Sequence, residues 1–262
     1  MRIDVFGKRD NPVIVMLPGS FCPGECLEYL YSEMSEDFCV VVPTYNGLYP
    51  SSTDFTTREN EAKCIADSLV NEKVDTVRMI YGQSMGAEIG AELMRQLQER
   101  NVIVESAFFD GAPMIMLSKA YTAFMHFKFS TILKLVKRNE IDKLLNMGFV
   151  KQLGGNKVNS LKPMLESIAM VAPFISKGTV KNQVECCYTF DFPSMSEEQQ
   201  KRMYFLYGMD EKAYKTCIKG VKKAYPKANF ILKRGHGHCT YSMDHKDAYV
   251  ELLRSICAGE QT

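Results

Sequence analysis

Ser84 lies in the stretch Ile80-Tyr81-Gly82-Gln83-Ser84-Met85-Gly86-Ala87-Glu88, with a glycine two residues to either side. A serine hydroxyl is a poor nucleophile until a base takes its proton. Four histidines could act as that base, namely His126, His236, His238 and His245. Two of them share the segment Gly235-His236-Gly237-His238-Cys239, just after a strand-like run. His126 sits among Phe124, Phe127 and Phe129, the setting of a packing or pocket-lining residue. His245 opens a helix-like segment, where an exposed side chain is expected. A histidine base in turn needs a carboxylate that fixes its tautomer and stabilises the imidazolium. Asp210 and Glu211 follow the strand-like Met203-Tyr204-Phe205-Leu206-Tyr207-Gly208, and Asp110 ends another such run. Together these residue types are equipped for acyl transfer through a serine.

The elements that must position them read as an alternating α/β pattern. RIDVF and VIVML are strand signals, the second ending in the Gly- and Pro-rich PGSFCPGE. ECLEYLYSEM has apolar residues at helical spacing. CVVVP is a short β-branched run of the kind found in a buried parallel strand. TTRENEAKCIADSLVNE predicts a helix that starts at Thr57. TVRMIY predicts a strand, GAEIGAELMRQLQER a helix, and VIVESAFFDGAP a further strand. Residues 114–185 carry no clear strand; they hold helix-like segments rich in Met, Phe and Lys. The sheet pattern resumes with MYFLYG, a helix over EKAYKTCIKGVKKAY, the strand NFILKR and the helix HKDAYVELLRSIC. The expected fold is a doubly wound, mostly parallel α/β sheet formed by residues 1–113 and 186–262, with residues 114–185 inserted as a helical cap.

Ser84 falls at the junction of strand TVRMIY and the helix after it. A sharp strand-to-helix turn strains its central residue and brings its flanks against neighbouring chain, and glycine has no Cβ to collide there. In this setting Gly82-Gln83-Ser84-Met85-Gly86 is the nucleophile elbow G-x-S-x-G, and the chain resembles the α/β-hydrolase family from end to end. The resemblance implies a triad in the chain order Ser84, Glu211, His238. His238 ends the G-x-G-H pattern of that loop, with His236 as its neighbour and the alternative base. Glu211 fills the acid slot counted from Gly208; Asp210 and Asp110 are the alternative acids. The oxyanion donors implied are the backbone N–H of Met85 and that of Ser20, or of Phe21 if the loop bends differently. Members often carry His-Gly in this loop, where this chain has Pro18-Gly19; that histidine is not a triad member.

Cys22 and Cys26 in the first loop, with His236, His238 and Cys239 in the last, offer a zinc reading. Their spacing matches no standard zinc pattern, so no metal is expected. No cofactor is expected either, since the triad and the N–H groups suffice for the chemistry. An aspartate nucleophile would point to epoxide or haloalkane hydrolysis; a serine points to ester, thioester, amide or C–C hydrolysis. The expected activity is cleavage of a small to medium carboxylic ester or thioester through an acyl-enzyme. Met114, Met116, Phe124, Met125, Phe127 and Phe129 are the candidates to line an apolar acyl pocket. A non-catalytic ligand- or partner-binding protein of the same fold, or an acyltransferase, are the alternatives.

The composition agrees. The 262 residues carry 46% hydrophobic and 24% charged side chains with a formal net charge of +1, ordinary for a globular protein and no general footprint for nucleic acid or anionic membrane. No run approaches the roughly 18 apolar residues of a membrane span. Nine cysteines, an odd number with Cys186 and Cys187 adjacent, fit free thiols in a reducing cytoplasm. The expected partner is a small-molecule acyl substrate.

Overall fold

A computed structural model describes residues 1–260. Eight strands form one sheet: β1 (Arg2–Phe6), β2 (Val13–Leu17), β3 (Cys39–Thr44), β4 (Thr76–Gln83), β5 (Ile103–Val104), β6 (Ala107–Asp110), β7 (Met203–Gly208) and β8 (Asn229–Lys233). The strand order is β1-β3-β2-β4-β6-β7-β8, with the short β5 paired to the start of β4. β1 is antiparallel to β3 and all other pairings are parallel.

The helices that follow the other strands are α1 (Glu28–Met34), α2 (Arg58–Asn71), α3 (Met85–Glu99), α10 (Tyr214–Ala224) and, after β8, α11 (Thr240–Asp244) and α12 (Lys246–Cys257). Between β6 and β7 the chain adds α4 (Lys119–Lys137), α5 (Ile141–Leu145), α6 (Gly148–Gly154), α7 (Lys162–Val171), α8 (Lys177–Tyr188) and α9 (Glu197–Lys201). Among the described residues no helix is long and apolar enough to cross a membrane.

The sheet is covered on both faces, which is why its strands read as continuous apolar runs. Successive side chains of a strand point to opposite faces. On β2, Ile14 and Met16 join Leu30, Met34 and Leu253 of α1 and α12, whereas Val15 and Leu17 join the layer of α2 and α3. α3 runs beneath the centre of the sheet and is buried almost all round. α2 begins as expected: Thr57 is its N-cap, and the Asn60 N–H donates to the Thr57 hydroxyl at 3.2 Å.

Two departures from the pattern have physical causes. The stretch VIVESAFFD is two strands, not one: the regular ladder is interrupted at Glu105 and Ser106, where the Glu105 side chain pairs with Arg78 at 2.6 Å and the Ser106 hydroxyl donates to the Arg78 carbonyl. α8 runs past residue 185 and packs on α3. Its buried side is partly polar: Thr179 and Gln183 are fully enclosed, where they accept the backbone N–H groups of Phe55 and Phe21.

Candidate active site

The parallel strands deliver their carboxyl ends to one edge of the sheet, and the turns there carry the candidate residues. β4 passes into α3 through Ser84, whose backbone is forced to φ 50 and ψ −120. The Ser84 N–H donates to the Asp110 carbonyl at 2.8 Å, which ties the turn to the end of β6. The flanking glycines answer to contacts on both sides. A Cβ at Gly82 would run into the carbonyl of Gly86, and one at Gly86 into the carbonyl of Leu17 at the end of β2. The chain can make this turn only where both positions lack a side chain.

The loop after β8 brings His238 over the elbow. Its Nε2 is 2.9 Å from Ser84 Oγ, and its Nδ1 is 3.0 Å from Glu211 Oε2. Glu211, in the turn after β7, is buried. The histidine loop crosses the end of β7 so closely that a Cβ on Gly208 would strike the Gly237 carbonyl. The inserted helices hold the same loop from above: the His238 N–H donates to the Leu153 carbonyl of α6 at 2.7 Å. Gly111, after β6, has room for nothing more than hydrogen because the His238 ring and Cys239 Sγ abut it.

The remaining acids and histidines lie elsewhere. Asp210 turns away and accepts from Asn156 Nδ2 at 3.1 Å, and its own N–H donates to the His236 carbonyl. Asp110 is fully buried and accepts from the Tyr249 hydroxyl at 2.8 Å. His236 is also buried; its Nδ1 is 3.5 Å from Asp244 Oδ2, and its ring packs between Tyr241 and His245. His126 is half-buried on α4, and His245 is exposed ahead of α12.

Of the three backbone groups considered for the oxyanion, two are free to serve. Met85 is the first residue of α3, and the first N–H groups of a helix have no intrahelical acceptor. Ser20 stands in the loop after β2, its hydroxyl 3.2 Å from Cys187 Sγ. Phe21 is committed instead: its N–H donates to Gln183 Oε1 at 2.7 Å, with Phe21 held at φ 61. Gln183 thus ties down the bend next to Ser20, which lines the same cavity as Ser84. It lies in the polar KNQVE, where sequence gives no signal for the role.

Burial works against a charged His238, but Cys239 and the Glu211 carboxylate together raise the imidazole above its ordinary value. Burial pushes the Cys239 thiol itself up to about 11, against the field of His238. Two further buried acids face this site. Burial raises Asp110 to about 6, against the hydrogen bond from Tyr249 and the field of His238. Burial raises Glu88, in the first turn of α3, to about 8; its Oε1 accepts the Met114 N–H at 2.7 Å, while its Oε2 has no partner among the described residues. Glu88 was not anticipated from sequence. Its neutral form is favoured in the folded state, so its stabilising contribution is full below about 4.5 and lost as pH rises through about 8. Glu88→Gln should remove that loss. Chemical denaturation at pH 5 and pH 9 should show the wild type losing up to roughly 4 kcal/mol more than the variant over that interval.

Above Ser84 and His238 lies a cavity of about 410 Å³, enclosed by Met125, Phe129 and Ile132 of α4 and by Met164, Leu165 and Ile168 of α7. Among the residues expected to line it, Met125 and Phe129 do so. Met114 is in the core instead, and Met116, Phe124 and Phe127 are 61%, 50% and 68% exposed. Among the described residues no three His, Cys, Asp or Glu side chains gather in a metal-holding arrangement.

No family model matches the sequence, and no curated protein matches it. Solved structures do match. An α/β hydrolase family protein from Desulfitobacterium hafniense superimposes with a TM-score of 0.74 at 16% identity, covering 97% of this chain and 99% of the other. A carboxylesterase, CesB, from Bacillus subtilis gives 0.70 at 16% identity over 99% and 88%. A thermophilic esterase from Thermogutta terrifontis gives 0.72 at 15% identity over 97% and 91%. With its mostly parallel sheet, its strand-to-helix elbow and these chain-long superpositions, the protein has the α/β-hydrolase fold.

Proposed function

We propose that the protein is a serine hydrolase that cleaves a small to medium carboxylic ester or thioester through an acyl-enzyme. The observation that carries this reading is the continuous relay from Ser84 Oγ to His238 Nε2 at 2.9 Å and from His238 Nδ1 to Glu211 Oε2 at 3.0 Å. Ser84 Oγ attacks the acyl carbonyl carbon while His238 Nε2 takes the hydroxyl proton. The negative charge gathers on the carbonyl oxygen, where the N–H groups of Met85 and Ser20 are the donors. Collapse breaks the bond to the alcohol or thiol, which leaves with the proton from His238. A water then repeats the sequence on the acyl-enzyme, releases the acid and restores Ser84.

The fold is shared by proteins of other chemistries, so the reading rests on the site. The esterases among the superimposed structures agree with it. The apolar walls that α4 and α7 place over Ser84 favour an acyl group over a charged one, and they give residues 114–185 the role of a cap. Besides water, the small-molecule acyl substrate is the only partner this reaction requires.

The decisive test is a fluorophosphonate, which phosphonylates an activated serine and spares unactivated ones. Mass spectrometry should place the adduct on Ser84, with activity across a series of p-nitrophenyl esters lost in parallel. An adduct on another residue, or none, would sink the proposal.

A further inference from the structure

We propose that the outer face of the inserted helices docks on an anionic lipid surface. The net charge of +1 conceals a division. Residues 114–185 contain eleven Lys and Arg against four Asp and Glu, a net of +7, which leaves −6 on the rest of the chain. The same segment holds most of the exposed large apolar side chains: Met116, Tyr121, Phe124, Phe127, Met170 and Phe174. Exposed apolar groups scattered singly need no explanation, but their concentration on one basic segment does.

α4 shows how the face is built. Met125, Phe129 and Ile132 turn inward and line the cavity, and Tyr121 lies at the same lining while half in solvent. Phe124 and Phe127 occupy the opposite stripe and point outward, with Lys134 two turns beyond Phe127. Lys128 joins the two faces. Its Nζ lies 4.8 Å from the Phe124 ring and 5.1 Å from that of Phe149 on α6, and it also lines the cavity. Lys119, Lys134 and Lys151 are exposed, and among the described residues none pairs with a carboxylate.

The exposed aromatic side chains of α4, set among the unpaired lysines of the same helix, fit the boundary between phosphate headgroups and acyl chains. The lysines answer the lipid phosphates and the apolar groups enter the first layer of hydrocarbon. The same face leads through Tyr121 and Lys128 to the cavity above Ser84, so an acyl substrate dissolved in lipid would meet the apolar walls without crossing water. This last step rests on the hydrolase reading; the docking itself does not.

The test uses Ser84→Ala protein, which cannot consume lipid, sedimented with phosphatidylcholine vesicles with and without phosphatidylglycerol. Binding should require phosphatidylglycerol and weaken with added salt. Phe124→Ser/Phe127→Ser and Lys119→Glu/Lys134→Glu should each weaken it by about tenfold or more. In the wild-type background the same pairs should leave turnover of a soluble short-chain ester unchanged, since none of these side chains lines the cavity. Equal uptake on both vesicles, no uptake, or variants that bind like their parent would overturn the proposal. So would light scattering that finds the face occupied by a second copy in the absence of lipid. A failed fluorophosphonate reaction with intact vesicle binding would reject the hydrolase and keep the docking surface.

Discussion

Ser84→Ala should lower kcat/KM for any ester the protein cleaves by about 10⁶-fold while leaving the fold in place. The side chain makes one polar contact, to His238 Nε2. Removing Oγ therefore deletes the nucleophile and orphans one imidazole nitrogen at the edge of the cavity. It takes nothing from the core, whose contacts at the elbow are made by the backbone and by Gly82 and Gly86. An alanine can hold φ 50 no worse than serine does, so the thermal midpoint should move by only a few degrees. His238→Ala should give a loss of the same size, and the double variant should be no worse than either, because the residues of one relay act as a unit. Steady-state kinetics on the three variants, with circular dichroism as the check on folding, decide the matter. A Ser84→Ala protein that keeps a tenth of the wild-type rate would show that the serine is not the nucleophile.

The parts of this site that could be read from sequence are those where backbone geometry dictates residue type. The elbow is such a place: two glycines around a serine, between a β-branched run and an amphipathic helix, admit few other conformations. The central strands were legible for a related reason, since β2, β3 and the second half of β4 are buried on both faces and carry mainly apolar side chains. What sequence left open was decided by packing at long range. His236 and His238 are alike in type and two residues apart, yet one is turned to Asp244 and the other to Ser84. α4 is apolar on two stripes, so its pattern marks a helix without saying which stripe faces the cavity. The aromatic residues that looked like pocket lining divide between the two faces. α8 was obscured because its enclosed side chains include Thr179 and Gln183, which are there to accept backbone N–H groups from segments far away in sequence. Glu88 gave no signal, since a glutamate on a helix normally faces water and its burial follows from the layer that α2, α8 and the end of β6 build around α3.

Glu211→Gln should lower kcat by about 10⁴-fold at neutral pH, whereas Asp210→Asn should change it by no more than about threefold. The two acids are adjacent in sequence, but only Glu211 reaches His238 Nδ1, and Asp210 is spent on Asn156. An amide in place of the carboxylate can present its NH₂ to Nδ1, which favours the wrong tautomer and withdraws support from the imidazolium. The pH profile separates this from a general loss of structure. The base must be unprotonated to act, so kcat/KM should rise with pH through the His238 pKa, which Cys239 and Glu211 together hold above that of an ordinary histidine. Removing the carboxylate removes its share of that lift, and burial then acts unopposed by it. The midpoint of the remaining activity should therefore move to lower pH in Glu211→Gln, even as its ceiling falls. Cys239 beside the ring, and the buried acids Asp110 and Glu88 that feel its charge, stay in place in the variant, so a shift can be assigned to the loss of the Glu211 carboxylate. A midpoint that stays where it was, or moves to higher pH, would mean that another group sets the imidazole's charge; Asp110, buried at the end of β6 and within the field of His238, would then be the residue to change next.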